Sequence, residues 1–173
     1  GAQLILSSRR IEELERVKKQ CGSAKVTIVS LDLGKEESVQ NAATEVLAKF
    51  PRIDYLFNNG GISQRSLTVD TDISVDRRIF EVNFFGNILL SKLVGKRMVE
   101  QQSGHIIVTS SLVGKWGFYL RSAYSASKHA LHGFYESMRM EVEKDGVAIS
   151  LVLPGFTQTS ISQNALEKDG KAT

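Results

Sequence analysis

One cysteine in 173 residues, Cys21, leaves no intrachain disulfide to staple the fold and fits a reducing compartment. Three scattered histidines, His105, His129 and His132, give no metal-ligand spacing, so no metal is expected. Proline is scarce, at 2 residues against 14 glycines, and the chain is 42% hydrophobic and 24% charged; collagen, low-complexity and disordered readings are excluded. Long apolar runs are missing too. The most apolar stretch, Ile79–Leu90, is interrupted by Glu81, Asn83, Gly86 and Asn87, so it spans no membrane. Charge of one sign is also absent, because 22 basic and 19 acidic residues are interspersed to a net +3, and nucleic acid is not implied. The chain opens Gly1-Ala2-Gln3-Leu4 with no initiator methionine and no signal-peptide pattern, so sequence upstream is expected.

What is present is an alternation of short apolar runs and helical periods. Gln3–Leu6 reads as a strand, and Ile11, Leu14, Val17 and Cys21 follow at helical spacing until Gly22. Lys25–Leu31 is a β-branched run, after which Val39, Ala42, Ala43, Val46, Leu47 and Phe50 share a helical face. Ile53–Phe57 is a third strand, and a long helical pattern then runs from about Ser74 to Gln102. His105–Thr109, a helix over Ser122–Lys144 and a strand Val147–Val152 ending at Pro154-Gly155 complete the series. Five near-continuous apolar strands with helices between them predict the α/β class, a doubly wound, Rossmann-like parallel sheet. In such sheets ligands bind beyond the carboxyl ends of the strands. No internal repeat or linker divides residues 1–173, which read as one partial domain.

Chemistry concentrates at those strand ends. Tyr124 and Lys128 stand four apart on a predicted helix and share a face, where an ammonium favours the phenolate of a neighbouring phenol. The spacing alone is a weak signal, since it also arises by chance as an ordinary surface pair. Ser111 closes the strand thirteen residues earlier, either as a turn or cap serine or as a hydroxyl that meets a substrate oxygen. Asn83, in an otherwise apolar helix, is either a satisfied core amide or a functional one.

Together these residues resemble the short-chain dehydrogenase/reductase family over essentially the whole chain. Asn58-Asn59-Gly60-Gly61 stands where the family has Asn-Asn-Ala-Gly, and Asn83, Ser111, Tyr124 and Lys128 follow the order and spacing of its catalytic tetrad. Pro154-Gly155-Phe156-Thr157-Gln158-Thr159 matches its Pro-Gly turn. The words Asn59–Ser66 and Tyr124–Ala130 are similar to its member 7 and 7B branch. The resemblance implies hydride transfer between a nicotinamide cofactor and a small-molecule carbonyl or alcohol, with Tyr124 as general acid or base. It further implies that Lys128 lowers the Tyr124 pKa and holds the nicotinamide ribose, that Ser111 positions the substrate oxygen, and that Asn83 anchors a water behind Lys128. A homodimer or homotetramer is implied as well.

By the same resemblance, Asp32-Leu33 would meet the adenine ring, Asn58, Asn59, Gly60 and Gly61 would let the backbone approach the cofactor, and Pro154, Gly155, Thr157 and Thr159 would lie at the nicotinamide end. Ser8 stands where NAD-preferring relatives carry Asp, and Arg9 follows it; a guanidinium suits a 2′-phosphate, so NADP(H) is expected. Two arginines merely solvated at a helix start are disfavoured by the helix dipole. Leu112, Val113, Trp116, Phe118, Tyr119 and Phe156 flank the site and suggest an apolar substrate, though each also suits plain core packing.

The family's Thr-Gly-x-x-x-Gly-x-Gly phosphate loop and the strand before it do not occur in these residues. In the 3-2-1-4-5 order that strand lies between Gln3–Leu6 and Ile53–Phe57, so the sheet should be split at its centre. The chain then reads as the catalytic part of a domain of about 250 residues, not expected to work alone as an enzyme. A membrane anchor, which relatives of the member 7 type can carry, would lie in the missing N-terminus; the expected compartment is then cytoplasmic, or the endoplasmic reticulum membrane with an anchor. The alternatives are an inactive nucleotide-binding or scaffold protein on the same fold, against which the intact tetrad argues, and an epimerase or dehydratase, which the length disfavours.

Overall fold

The computed structural model describes residues 1–155, 157, 161 and 163–172. Strand β1 (Gln3–Ser8) pairs in parallel with β2 (Lys25–Ser30), Gln3 opposite Lys25 and Ser8 opposite Ser30. Strands β3 (Tyr55–Asn58), β4 (Gly104–Thr109) and β5 (Val147–Val152) form a second parallel sheet in that order. All five expected strands are present, and β1 runs two residues past Leu6 because Ser7 and Ser8 remain in the ladder with β2. β3 begins at Tyr55, not Ile53, because the Gln101 side chain takes both backbone groups of Ile53: its oxygen accepts from Ile53 N–H at 3.3 Å and its nitrogen donates to Ile53 C=O at 2.5 Å.

Among the described residues no ladder joins β1 to β3, so the sheet is split where the strand order predicts. The facing edge is open: Tyr55 is 63% and Phe57 68% exposed, their rings stacked 6.3 Å apart.

Helix α1 (Ile11–Gln20) packs on β1 and β2, and α2 (Glu36–Lys49) lies between β2 and a later helix. Arg9 and Arg10 precede α1, whose first turn carries Glu12 and Glu13 instead, the sign that suits a helix N-terminus. The long helical pattern expected over 74–102 is continuous but not uniform. It comprises α3 (Ile73–Phe80), a π-helical turn over Glu81–Phe85 and α4 (Gly86–Glu100). Helix α5 (Ser122–Val142) ends two residues before Lys144, where a short 3₁₀ turn, Glu143–Asp145, takes over.

The larger core lies between one face of the three-stranded sheet and helices α4 and α5. Val94 and Met98 from α4, Leu131 and Tyr135 from α5, and Ile106, Val108, Val147 and Ile149 from the strands meet there. Each such side chain contributes roughly 1.5–3 kcal/mol on burial. On the other face His105, Ile107 and Thr109 are only half-buried. The sequence of β4 therefore fixes which way its end points, and that end carries the site.

Candidate active site

The backbone leaves β4 through Ser110 and Ser111. Ser110 stays in the sheet pattern, its N–H donating to Val152 at 2.8 Å. Ser111 is extended, and its hydroxyl accepts from Val113 N–H at 3.3 Å, opening a 3₁₀ turn over Leu112–Gly114. It is thus a turn serine in geometry, and the same hydroxyl interacts with the Tyr124 phenol.

Tyr124 occupies the first turn of α5, and the segment after β3 fixes that turn. The buried Gln64 side-chain oxygen accepts from Ala123 N–H at 3.0 Å, Ser66 N–H donates to Leu120 at 3.2 Å, and Arg121 donates to the Ser63 hydroxyl. One turn on, Lys128 is 4% exposed; its Nζ donates to the Thr109 carbonyl at 2.8 Å and lies 5.8 Å from the centre of the Tyr124 ring. Ser111, Tyr124 and Lys128 are therefore brought together from β4 and α5.

The electrostatics differ from the sequence expectation in one respect. Burial pushes the Tyr124 phenol up, against the opposing pull of the Ser111 hydrogen bond and the Arg121 charge. Burial likewise brings Lys128 down to about 8, so its ammonium is held against desolvation. Arg121 is lowered, first by its own burial and then by the nearby Arg65.

Asn83 sits at the middle of the π turn and is fully buried. Its amide oxygen accepts from Ile62 N–H at 2.8 Å, and its nitrogen donates to Ile62 C=O at 2.9 Å and to Ser127 at 3.1 Å. The side chain is thus a satisfied amide that clamps the segment after β3 to α5, beside Lys128. The π turn itself is held by Asn87, which donates to the carbonyls of Val82 and Asn83, each at 3.1 Å. Single π turns inside α-helices gather at functional sites.

The opening between the two sheets, where the strand order places the strand that these residues lack, is bordered at the strand ends by Ser8, Arg9, Arg10, Asp32, Leu33 and the run Asn58–Ile62. The expected adenine-side and strand-end residues are thus gathered around one opening. Around it their roles separate. Asn58 turns its amide away into the core, to Ser91 at 2.6 Å and Tyr135 at 3.1 Å. Asn59 accepts from the Thr109 hydroxyl at 2.8 Å and joins the ends of β3 and β4. Asp32 folds its carboxylate onto Gly34 N–H at 3.0 Å. Pro154 and Gly155 lie against the turn after Ser111, where Leu112 N–H donates to Pro154 C=O at 3.3 Å, and Thr157 donates to Gly155 C=O. Thr159 and Phe156 lie outside the described residues.

Several contributors have no signal in isolated motifs. Arg121 and Gln64 act through tertiary contacts, whereas Asn87, a polar residue one turn from Asn83 in the same apolar helix, carries the mark that singled out Asn83. Gly86 is needed for another reason: a Cβ there would lie 2.1 Å from the Leu33 carbonyl oxygen, so the helix and the strand-end loop touch backbone to backbone.

A family model described as short chain dehydrogenase matches residues 1–170. The chain belongs to the short-chain dehydrogenase family. It is 42% identical to the dehydrogenase/reductase SDR family protein 7-like of Drosophila melanogaster over 99% of this chain and 55% of that one. It is 39% identical to member 7B of Mus musculus over 98% and 54% respectively. The chain spans about half the length of the curated relatives it matches. Among solved structures, a metagenomic short-chain oxidoreductase in complex with NADP superposes with TM-score 0.86 at 30% identity, covering 92% of this chain and 73% of that one. NAD+-bound xylitol dehydrogenase gives 0.85 at 25%, covering 90% and 61%. The fold is the Rossmann-like α/β fold of short-chain dehydrogenases, and this chain covers part of it.

Proposed function

We propose that this chain carries the acid–base machinery of an NADP(H)-dependent oxidoreductase that interconverts an apolar carbonyl compound and its alcohol. The observation that carries the reading is the convergence of Ser111, Tyr124 and the buried Lys128 ammonium at the β4 end and the start of α5. Family membership supports the oxidoreductase class.

In reduction, Tyr124 holds a proton on its phenol oxygen and releases it to the substrate oxygen, becoming a phenolate; in oxidation the phenolate takes that proton back. Ser111 lies beside the phenol and donates its hydroxyl hydrogen to the same substrate oxygen, steadying the charge that develops there. Lys128, with one of its hydrogens spent on Thr109, keeps a positive charge over the ring that favours the phenolate. Burial of Tyr124 keeps the phenol protonated at neutral pH, the form that reduction uses first.

The residues present fit a dinucleotide on its adenine side. Ser8, Arg9, Asp32, Leu33 and Asn59 to Gly61 border one opening at the strand ends, and a Cβ at Gly60 would lie 2.6 Å from the end of the Leu33 side chain, so the two segments pack closely there. When bound, the nicotinamide would supply or accept the hydride. Ser8 offers no negative charge to repel a 2′-phosphate, and no carboxylate among the described residues forms an ion pair with Arg9. One structural neighbour carries NADP and another NAD+, so the preference for NADP(H) rests on Ser8 and Arg9. Leu112, Trp116, Phe118 and Tyr119 are 37%, 53%, 46% and 75% exposed beyond Ser111 and suit an apolar substrate body. Residues 1–173 act as one partial domain, in a homodimer or homotetramer.

The test is Tyr124→Phe in the full polypeptide, assayed with NADPH and a panel of apolar ketones. Turnover is expected to fall by about 10²–10⁴-fold, the usual contribution of a positioned proton donor. Turnover equal to the parent overturns the reading.

A further inference from the structure

Beneath the turn that follows Ser111 lies a second, buried pair that the proton-transfer scheme does not use. Ser110 is 2% and His132 7% exposed, and the Ser110 hydroxyl lies 3.0 Å from His132 Nε2. The same hydroxyl donates to the Lys128 carbonyl at 3.4 Å. His132 stands one turn after Lys128 on α5, so the pair joins the end of β4 to the helical turn that bears the buried ammonium.

The 3₁₀ turn Leu112–Gly114 rests directly on this pair. A Cβ at Gly114 would lie 2.8 Å from the Ser110 hydroxyl and 3.0 Å from His132 Nε2, a contact that no side chain tolerates without displacing one of them. Ser111, which opens the turn, is therefore seated by what lies under Gly114.

The other imidazole nitrogen narrows the protonation state. Nδ1 is buried with no hydrogen-bond partner, and the nearest carboxylate oxygen, on Glu136, stands 3.7 Å away. Glu136 is itself 3.9 Å from Lys115 at the end of the 3₁₀ turn. The charged and titratable groups facing the ring are thus Lys115, Glu136 and His129; burial followed by Lys115 lowers its pKa against the opposing pull of Glu136, leaving it neutral at neutral pH. A neutral ring carries one hydrogen. On Nδ1 that hydrogen would find no acceptor within hydrogen-bond distance, the Glu136 carboxylate standing at 3.7 Å, and a buried donor without a bond is costlier than a buried acceptor without one. On Nε2 it is given to Ser110, whose own hydrogen is then free for the Lys128 carbonyl.

We propose that His132 is a positioning residue, donating from Nε2 to Ser110 and through it to the Lys128 carbonyl, and so holding the Ser111 turn against the Lys128 turn of α5. This rests on the proton-transfer reading above for its kinetic consequence, but not for its geometry. Removing one partner of a buried hydrogen bond costs about 1.4 kcal/mol, a tenfold change in rate if the loss falls on the transition state.

The experiment has two arms on the full polypeptide. Nitrogen NMR of labelled histidine, which needs no activity, should find His132 as the Nε2–H tautomer, with a slowly exchanging hydrogen that exchanges freely in Ser110→Ala. An Nδ1–H tautomer, or exchange unaltered by Ser110→Ala, overturns the proposal even if the enzyme is active. In the kinetic arm, His132→Leu should lower kcat about tenfold with the cofactor KM within about twofold, and His132→Gln, whose amide can donate to Ser110, should restore most of it. Unchanged kcat in His132→Leu, or no rescue by glutamine, also overturns it. A parent devoid of turnover with every ketone would instead overturn the oxidoreductase reading, leaving the NMR arm to decide His132.

Discussion

Lys128 faces the ring of Tyr124, 5.8 Å from its centre, and gives its hydrogen bond to the Thr109 carbonyl. A cation over the ring face stabilises the phenolate less directly than one at the phenol oxygen, and burial accordingly prevails in pushing the Tyr124 pKa up. The groups that pull it back down are Ser111 and Arg121.

Arg121 should therefore tune the pH dependence of both reaction directions. Replacing it by glutamine removes a charge that favours the phenolate, so the Tyr124 pKa rises further. Alcohol oxidation, which needs the phenolate, should have its rising alkaline limb displaced to higher pH and run slower at neutral pH. Carbonyl reduction, which needs the phenol, should keep its rate to a higher pH than in the parent. Profiles of kcat against pH in both directions check this, and limbs that move to lower pH count against it.

Lys128 makes a prediction about stability. Its folded pKa, about 8, lies below the ordinary lysine value of 10.5, so between those two pH values the unfolded chain binds more protons than the folded one. Stability from this group therefore rises with pH across that window, by about 3 kcal/mol in total. Below pH 8 the cost of burying the charge is present in full. Denaturant unfolding of the nucleotide-free parent and of Lys128→Met, from pH 7 to 11, should show the parent gaining on the variant by that order, with parallel curves as the contrary result.

Gly86 is expected to tolerate no side chain. A Cβ would sit 2.1 Å from the Leu33 oxygen and 2.8 Å from its carbonyl carbon, both backbone atoms that cannot rotate away. Gly86→Ala should thus cost at least the roughly 1–3 kcal/mol of an overpacked site. Because Leu33 borders the opening between the sheets, nucleotide affinity should fall along with thermal stability. Calorimetry and fluorescence titration with NADPH measure the two effects.

The strands and most helices are legible because their signals are local: β-branched runs, apolar periods and the Gly22 and Pro154-Gly155 stops. The split of the sheet also follows from strand order, and Tyr55 and Phe57 are exposed as it requires. The π turn is not legible, since a helix with one extra residue in a turn has nearly the same apolar period as one without; only the paired Asn83 and Asn87 mark it. Nor is the start of β3, which the Gln101 side chain shifts across 48 positions of sequence. Ser111, Tyr124 and Lys128 are readable as a motif, but the phenol's raised pKa depends on how much protein surrounds it. Arg121, Gln64 and His132 become visible only when Ser63, Ala123 and Ser110 are brought to them.

Cofactor choice turns on Ser8, which closes β1, and on Arg9, which follows it. The Ser8 hydroxyl accepts from Arg10 N–H at 3.1 Å and so turns the chain, leaving Arg9 exposed at the border of the opening between the sheets. A guanidinium paired with a phosphate contributes about 1.5–3 kcal/mol, so Arg9→Gln should weaken use of NADPH by roughly 10–100-fold and leave NADH nearly untouched. Ser8→Asp should act in the opposite sense on the two cofactors, accepting from a 2′-hydroxyl and repelling a 2′-phosphate. The double variant is expected to invert the ratio of kcat/KM for the two nucleotides. A parent that already prefers NADH, or an Arg9→Gln variant with an unchanged ratio, removes Arg9 from the cofactor site and leaves the acid–base reading of Tyr124 intact, because the two rest on opposite sides of the split sheet.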